Sequence, residues 1–319
     1  MASPVVLITG ALTGIGRATA FAFARDGAQL VVSGRHDAAG SALTSELRDT
    51  GAQAEFVRAD VRQEDDVRNL VDRAVARFGR LDIAVNNAGT EGRPGTLTEQ
   101  SAEDYRAIFD TNVLGTMLSL KHELRVMRPQ GGGAIVNLSS IVGHKALPGA
   151  PLYVASKHAV EGLTKAAALE AAAFGVRVTA VAPGPIATGM LDRFAGSDDA
   201  KAGLLASLPL RRAGTPDEIA RVIMFAASEA ASYMTGCVRG RWRDDRGLTQ
   251  PAAADRGRQT IDYAGAALRN LVRYRRKGVT GVPVRLSIAQ TRQSGDLVPE
   301  SPGNGRMSVK DAYFWNAPC

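Results

Sequence analysis

A tyrosine and a lysine four residues apart, in the run Tyr153-Val154-Ala155-Ser156-Lys157, are the side chains of this sequence best suited to moving a proton. Positions four apart share one face of a helix, with Cβ atoms about 5–6 Å from each other, so the ammonium can stand beside the phenol. A free tyrosine has a pKa of about 10, and bringing it near 7 takes roughly 4 kcal/mol of preferential phenolate stabilisation. A nearby positive charge acts in that direction. The spacing therefore predicts a Tyr153 phenol lowered by Lys157, able to give a proton to a carbonyl oxygen or to take one from an alcohol. The same spacing also describes an exposed tyrosine beside a solvated lysine. What separates the two readings is the company the pair keeps, beginning with Ser140 thirteen residues upstream.

The chain opens with a second chemical signal, the turn Thr9-Gly10-Ala11-Leu12-Thr13-Gly14-Ile15-Gly16. It follows the apolar run Val5-Val6-Leu7-Ile8-Thr9 and precedes a helical pattern through Ala18, Ala20, Phe21, Phe23 and Ala24, which reads as strand, tight turn, helix. Glycines there permit unusual backbone angles and close approach of a pyrophosphate, and a helix N-terminus offers unpaired N–H groups with partial positive charge. The spacing is Gly-x-x-x-Gly-x-Gly rather than the more familiar Gly-x-Gly-x-x-Gly.

Together these motifs resemble the classical short-chain dehydrogenase/reductase family, and further signatures follow in order over residues 1–236. Asn86-Asn87-Ala88-Gly89 comes after the strand Ile83-Ala84-Val85; the resemblance implies that it stabilises the central sheet beside the cofactor. Asn112, in Thr111-Asn112-Val113-Leu114-Gly115, matches the family asparagine whose backbone carbonyl holds a water in a proton relay. Ser139-Ser140 ends the strand Ala134–Leu138, and Pro183-Gly184-Pro185-Ile186-Ala187-Thr188 follows the strand Val176–Val181, where the family places the nicotinamide carboxamide. The resemblance implies Tyr153 as general acid/base, Lys157 as its modulator and a ligand of the nicotinamide ribose, Ser140 as donor to the substrate oxygen, and Asn112 as anchor of the relay. It implies cofactor contacts from Gly10, Thr13, Gly14, Ile15, Gly16, Asn87, Ala88, Gly89, Pro183, Gly184, Ile186 and Thr188, with Asp60 and Val61 at the adenine. As bland alternatives, Ser140 could cap a strand end and Asn112 could satisfy a bend in its helix.

Cofactor choice turns on the end of the second strand, Gln29-Leu30-Val31-Val32-Ser33, followed by Gly34-Arg35-His36-Asp37. An acidic residue at this point hydrogen-bonds the adenosine 2′-hydroxyl of NAD, whereas an arginine accommodates the 2′-phosphate of NADP. Gly34 stands at the acidic position and Arg35 follows it, which favours NADP; Asp37 swinging back to the ribose would favour NAD.

Alternating strands and helices predict an α/β fold, a Rossmann-type doubly wound parallel sheet with helices on both faces. No apolar run reaches the roughly 18 residues of a membrane span, and no signal-like segment precedes the first strand, so a cytoplasmic enzyme without membrane contact is expected. Cys237 and Cys319 are the only cysteines, which argues against a disulfide framework or a metal centre. The net charge of +7 is unevenly shared: residues 237–319 hold 15 Lys and Arg against 7 Asp and Glu, leaving −1 for residues 1–236. The basicity thus belongs to the tail, and no nucleic-acid binding is expected of the catalytic region.

The tail departs from the family. Where relatives continue after Gly236 into a last buried strand, this chain reads Cys237-Val238-Arg239-Gly240-Arg241-Trp242-Arg243-Asp244-Asp245-Arg246. Buried parallel strands are continuous apolar runs, so the last family strand is expected to be missing or replaced. We divide the chain into a catalytic domain, residues 1–236, and a basic Arg/Gly/Pro-rich tail, residues 237–319. A forward shift of one nucleotide at Cys237 can restore a family-like ending, which makes a frameshift one reading of the tail. Disorder is a second, and a genuine extension with a basic amphipathic helix over residues 261–277 is a third. Family members pair as dimers through the helices holding Asn112 and Tyr153 and often form tetramers through the last strand, so a homodimer is expected and a tetramer doubtful.

The expected substrate is a small carbonyl compound or secondary alcohol, in a pocket formed by Ile141, Val142, His144, Leu147, Leu152 and the segment from Gly189 to Leu210, with His144 either bonding a substrate hydroxyl or resting on the rim. The stretch Tyr153 through Thr188, with Lys157-His158-Ala159-Val160-Glu161-Gly162-Leu163-Thr164, resembles the glucose dehydrogenase-like members. The competing reading is a dinucleotide-binding protein without turnover, disabled by its altered C-terminus.

Overall fold

The computed structural model describes residues 3–239. The tail readings that concern residues 240–319, including the candidate helix over 261–277, lie outside the described residues.

Six apolar runs form the strands Val5–Thr9 (β1), Gln29–Gly34 (β2), Ala54–Arg58 (β3), Ile83–Asn86 (β4), Gly133–Leu138 (β5) and Val176–Val181 (β6). They pair in parallel in the order β3-β2-β1-β4-β5-β6, and a two-residue strand, Val238–Arg239 (β7), follows beside β6. Successive strand residues point to opposite faces. Val6 and Ile8 enter one apolar cluster, with Leu30, Val32 and Ile223, while Leu7 and Val31 enter the other, with Leu70, Met127 and Val178. Burying each such side chain contributes about 1.5–3 kcal/mol, which is why β1 needs an unbroken apolar run.

The helices Gly14–Arg25 (α1) and Asp37–Asp49 (α2) cover the first face, together with Pro216–Ala227, which is α9 in chain order. Glu64–Phe78 (α3), Gly115–Gln130 (α5) and Pro151–Ala171 (α6) cover the second. Three shorter helices, Ala102–Phe109 (α4), Gly189–Ala195 (α7) and Asp198–Ser207 (α8), complete the set among the described residues. Local sequence sets several boundaries. α3 carries Glu64, Asp65 and Asp66 in its first turn, and Gly79 ends it at φ 81°, a backbone region disfavoured for other residues. α9 opens with a Thr215/Glu218 capping box and Pro216 at its first position. The crossovers run in opposite directions from β1, leaving a crevice at the carboxyl ends of β1 and β4, the usual ligand position in such sheets.

A two-residue strand, Val238–Arg239, stands where the last family strand would begin. The Gly236 amide donates to the Val178 carbonyl (2.8 Å), the Ala180 amide donates to the Cys237 carbonyl (2.9 Å), and Val238 and Arg239 continue the register against Ala180 and Val181. Ladder bonds use backbone groups, and a strand at the end of the sheet order is not required to be apolar on both faces. Arg177 ties this corner together: its guanidinium donates to the carbonyls of Ala226 (2.9 Å), Ala227 (3.0 Å) and Ser228 (3.1 Å) at the C-terminus of α9, where a cation complements the helix dipole.

Beneath the crevice a polar chain crosses the core. Asn86 Nδ2 donates to Glu123 Oε2 and to Asn137 Oδ1, both at 3.0 Å, and Asn137 Nδ2 donates to Thr164 Oγ1 at 2.9 Å. Glu123 is fully buried, and burial pushes its carboxyl up to about 7 although the Asn86 bond opposes the shift.

Candidate active site

Loops leaving the carboxyl ends of four strands meet in the crevice: the turn after β1, residues 87–92 after β4, residues 139–143 after β5 and residues 183–188 after β6. α6 begins beside them, with Tyr153 in its first turn and Lys157 one turn on. Tyr153, Lys157 and Ser140 converge. The Ser140 and Tyr153 side chains are hydrogen-bonded, and Lys157 Nζ lies 5.7 Å from the centre of the Tyr153 ring. Ser140 also accepts from the Val142 amide (3.4 Å) as cap of the 3-10 turn Ile141–Gly143, so the capping role and the site position hold together.

The expected lowering of the Tyr153 phenol is overturned in this geometry. Burial pushes it up to about 12; the Ser140 bond opposes that, and the negative charge of Glu91 adds to it. Lys157 is itself buried, which brings its ammonium down to about 8, and it spends a hydrogen bond on the Leu138 carbonyl at 2.7 Å. Spacing gave the shared helix face correctly, but desolvation outweighs the attraction that spacing suggested. Tyr153 is thereby held as a proton donor throughout the neutral range.

Asn112 lies in a π-helical turn, Asp110–Leu114, between α4 and α5. Its side chain is 1 % exposed: Oδ1 accepts from the Thr90 amide (2.8 Å), while Nδ2 donates to the Thr90 carbonyl (2.9 Å) and to Ser156 Oγ (3.0 Å). Its backbone carbonyl accepts from Thr116 Oγ1 at 2.7 Å. Asn112 thus joins the loop after β4 to the first half of α6. π turns of this kind interrupt regular helix bonding and occur often at functional sites.

The β1 turn has the shape a dinucleotide requires. Gly10 has φ +63°, and a Cβ there would stand 2.8 Å from the Ala88 Cα. Asn87 Nδ2 fastens the turn to the loop after β4 by donating to the carbonyls of Thr9 (3.1 Å) and Gly10 (2.9 Å). Thr13 is the N-cap of α1 without a side-chain capping bond, and the first turn follows through Gly14, Ile15 and Gly16. That start fits a phosphate bound at a helix N-terminus. Ile15, Asn87, Gly89, Pro183, Gly184, Ile186 and Thr188 line the same cavity as Tyr153 and Lys157. Arg35, Asp60 and Val61 are not among its lining residues and sit at the outer end, after β2 and β3. Both Asp60 carboxylate oxygens accept from Arg62, and this bond chiefly holds Asp60 below its ordinary value, with Arg35 contributing through its charge. A Cβ on Gly34 would stand 2.5 Å from Leu12 Cδ1, so an acidic side chain there would have to displace Leu12. Asp37 faces Arg58 at 3.8 Å.

The cavity has a volume of about 220 Å³. Ile141, Val142 and Leu147 line it as expected, and from the 189–210 segment come Met190, Leu191, Phe194, Leu204 and Leu208. His144 and Leu152 are not among the lining residues; His144 Nδ1 instead meets Glu161 Oε1 at 3.1 Å. Sequence reasoning passed over Thr90 and Glu91. Glu91 is 9 % exposed, lines the cavity, and is ion-paired with Arg193 of α7 at 2.6 Å. Its one sequence signal was an acidic residue immediately after Asn87-Ala88-Gly89-Thr90. Among the described residues there is no cluster able to hold a metal, and no helix is long and apolar enough to cross a membrane.

Comparison with known proteins agrees with this geometry. A family model described as enoyl-(acyl carrier protein) reductase matches residues 10–239. The A-factor type gamma-butyrolactone 1'-reductase (1S-forming) of Streptomyces virginiae is 44% identical over 236 residues, covering 73% of this chain and 91% of its own. Cis-4-hydroxycyclohexanecarboxylate dehydrogenase of Sinomonas cyclohexanicum is 40% identical over 241 residues, covering 74% and 94%. The solved structure of ElxO with NADP bound superposes with a TM-score of 0.70 at 36% identity, covering 75% of this chain and 97% of that one. Its sheet order, its Ser140–Tyr153–Lys157 convergence and these matches together make the chain a member of the classical short-chain dehydrogenase/reductase family, the NAD(P)-dependent oxidoreductases of alcohol and ketone groups.

Proposed function

We propose that this enzyme interconverts ketones and secondary alcohols carried on apolar, ring-sized substrates, and that it prefers NADP to NAD. The observation that carries the reading is the hydrogen-bonded Ser140–Tyr153 pair above a buried Lys157, opening on a cavity with a largely aliphatic wall. Tyr153 donates the proton to the substrate oxygen in reduction and accepts it in oxidation. Ser140 donates a hydrogen bond to the same oxygen where negative charge develops. Lys157 holds the ribose side of the cleft and, with Asn112, returns the proton to solvent. Gly10, Thr13, Gly14, Ile15, Gly16, Asn87, Ala88 and Gly89 hold the phosphates and the nicotinamide half, Pro183, Gly184, Ile186 and Thr188 the carboxamide, and Asp60 and Val61 the adenine. When bound, the cofactor supplies or takes up the hydride. Two relatives named for ring compounds, a butyrolactone and a cyclohexanecarboxylate, support the ring size of the substrate.

Arg35 beside Gly34 supports the NADP preference, because the arginine is exposed and its acidic neighbour Asp37 faces Arg58 instead. Titration of the full chain with NADPH and NADH, followed by nicotinamide fluorescence, tests the reading; NADPH should bind more tightly, and binding of neither would refute it. Arg35→Ala should then weaken NADPH about tenfold, the equivalent of about 1.4 kcal/mol, and leave NADH nearly unchanged. Equal weakening of both would remove Arg35 from 2′-phosphate recognition.

The catalytic unit in this reading is residues 1–236, acting in the cytoplasm as a homodimer. Sequencing the coding DNA around Gly236 tests the frameshift reading of the tail, and an intact family-length frame running to Cys319 would sink it. Sedimentation of the purified chain tests the dimer, which a monomer would refute.

A further inference from the structure

The cavity's aliphatic wall leaves charge selection to very few groups. Of the lining residues, only Glu91 and Lys157 can carry charge besides the Tyr153 phenol, which is protonated in the neutral range. Lys157 is committed to the Leu138 carbonyl at 2.7 Å, beneath Tyr153. Glu91 stands in the loop after β4 and reaches across to α7, where Arg193 Nε donates to Oε1 at 2.6 Å and Nη2 donates to Oε2 at 3.4 Å. The two ends of this ion pair are unequal. The Glu91 side chain is 8 % exposed, while that of Arg193 is 66 % exposed. Water screens an exposed charge far more than a buried one, so the guanidinium's field is damped towards solvent and the carboxylate's field extends into the cavity. The influence of Glu91 on Tyr153 is consistent with that reach, since its negative charge helps keep the phenol protonated.

Resting on the ketone-reductase reading of this pocket, we propose that Glu91 is a specificity-determining residue: anchored by Arg193, it presents a negative charge to the substrate cavity and discriminates against anionic substrates in favour of neutral ones of the same shape. Arg193 positions it, and through the same bond fixes α7 as a wall of the pocket.

The test compares cyclohexanone with 4-oxocyclohexanecarboxylate on the full chain with NADPH. The wild type should favour the neutral ketone in kcat/KM by about tenfold, about 1.4 kcal/mol. Glu91→Gln, which keeps the shape and loses the charge, should erase most of that ratio through the KM of the acid, whereas Glu91→Asp should retain it. A purely structural Glu91 would lower both rates together and leave the ratio unchanged, which would overturn the proposal. Calorimetric affinities for cyclohexanecarboxamide and cyclohexanecarboxylate read the same discrimination without turnover. Should the wild type reduce neither ketone, the substrate reading fails, while a carboxamide preference lost in Glu91→Gln still upholds the role of Glu91. Equal wild-type affinity for the two ligands, or binding of neither, overturns it.

Discussion

Tyr153→Phe is expected to lower kcat for ketone reduction by about 10²- to 10⁴-fold, the range a positioned general acid contributes. The dissociation constant for NADPH should stay within about twofold of wild type, because the change removes one hydroxyl and keeps the ring. That ring packs over Lys157 Nζ and lines the cavity, whereas the hydroxyl is the part bonded to Ser140. The pH dependence should be one-sided. A phenol pushed up to about 12 is protonated through the neutral range, so reduction has its acid in place at pH 7. Oxidation needs the deprotonated form and should accelerate as pH rises toward that value. Stopped-flow single-turnover rates in both directions, with fluorescence titration of NADPH, check these statements. Turnover of Tyr153→Phe within tenfold of wild type would remove Tyr153 from the proton transfer. A wild-type protein that binds NADPH yet reduces no ketone would support a dinucleotide-binding protein without catalysis.

Glu123→Gln should make the protein more stable at pH 8 and flatten its stability between about pH 4.5 and 7. The folded carboxyl is raised from 4.5 to about 7 because it is fully buried. Between these values the native state binds more protons than the unfolded one, so stability falls as pH rises through the window and the full cost applies above it. A shift of this size corresponds to on the order of 3 kcal/mol, at 1.36 kcal/mol per pKa unit. For a chain region of this size that amounts to a rise in Tm of roughly 6–12 °C at pH 8. At pH 4 both states are protonated and the two proteins should melt together. Glutamine keeps an oxygen able to accept from Asn86 Nδ2, so the chain to Asn137 and Thr164 survives. Thermal melts of both proteins across pH 4–8 check this, and a difference independent of pH would refute it.

Much of the fold could be read from local pattern, because continuous apolar runs bounded by glycines and caps have few alternatives. Val5–Thr9 and Val176–Val181 appear with the expected bounds, and β2, β4 and β5 differ by a residue at an end. The Tyr153/Lys157 face, Ser140 and the β1 turn were legible for the same reason: each depends on near neighbours in sequence or on one strand end. What spacing could not give was the balance of electrostatic terms. Desolvation at Tyr153 depends on packing from several distant segments, and Glu91 meets Arg193 across 102 residues. His144 was expected at a substrate hydroxyl or on the pocket rim, yet it follows the turn Ile141–Gly143 and its ring meets Glu161. Replacement of the last family strand was legible in side-chain composition, whereas the register of the two strand residues that stand there is set by backbone pairing with β6.

The π turn at Asn112 also acts as a phase setter. An α-helix advances about 100° per residue, so one residue added within a helical turn rotates everything after it by about that angle. α4 buries Ile108 before the turn; α5 afterwards directs Leu120 and Met127 into the apolar core and Glu123 onto Asn86. The helix therefore has two azimuths, and Asn112 stands where they change. Restoring a regular α-helix by deleting a residue there would do more than move one amide: it would swing the whole inner face of α5 aside and misalign the buried carboxyl with its ladder. In this protein the angle of a core helix and the position of a site asparagine are one degree of freedom, inherited or lost together.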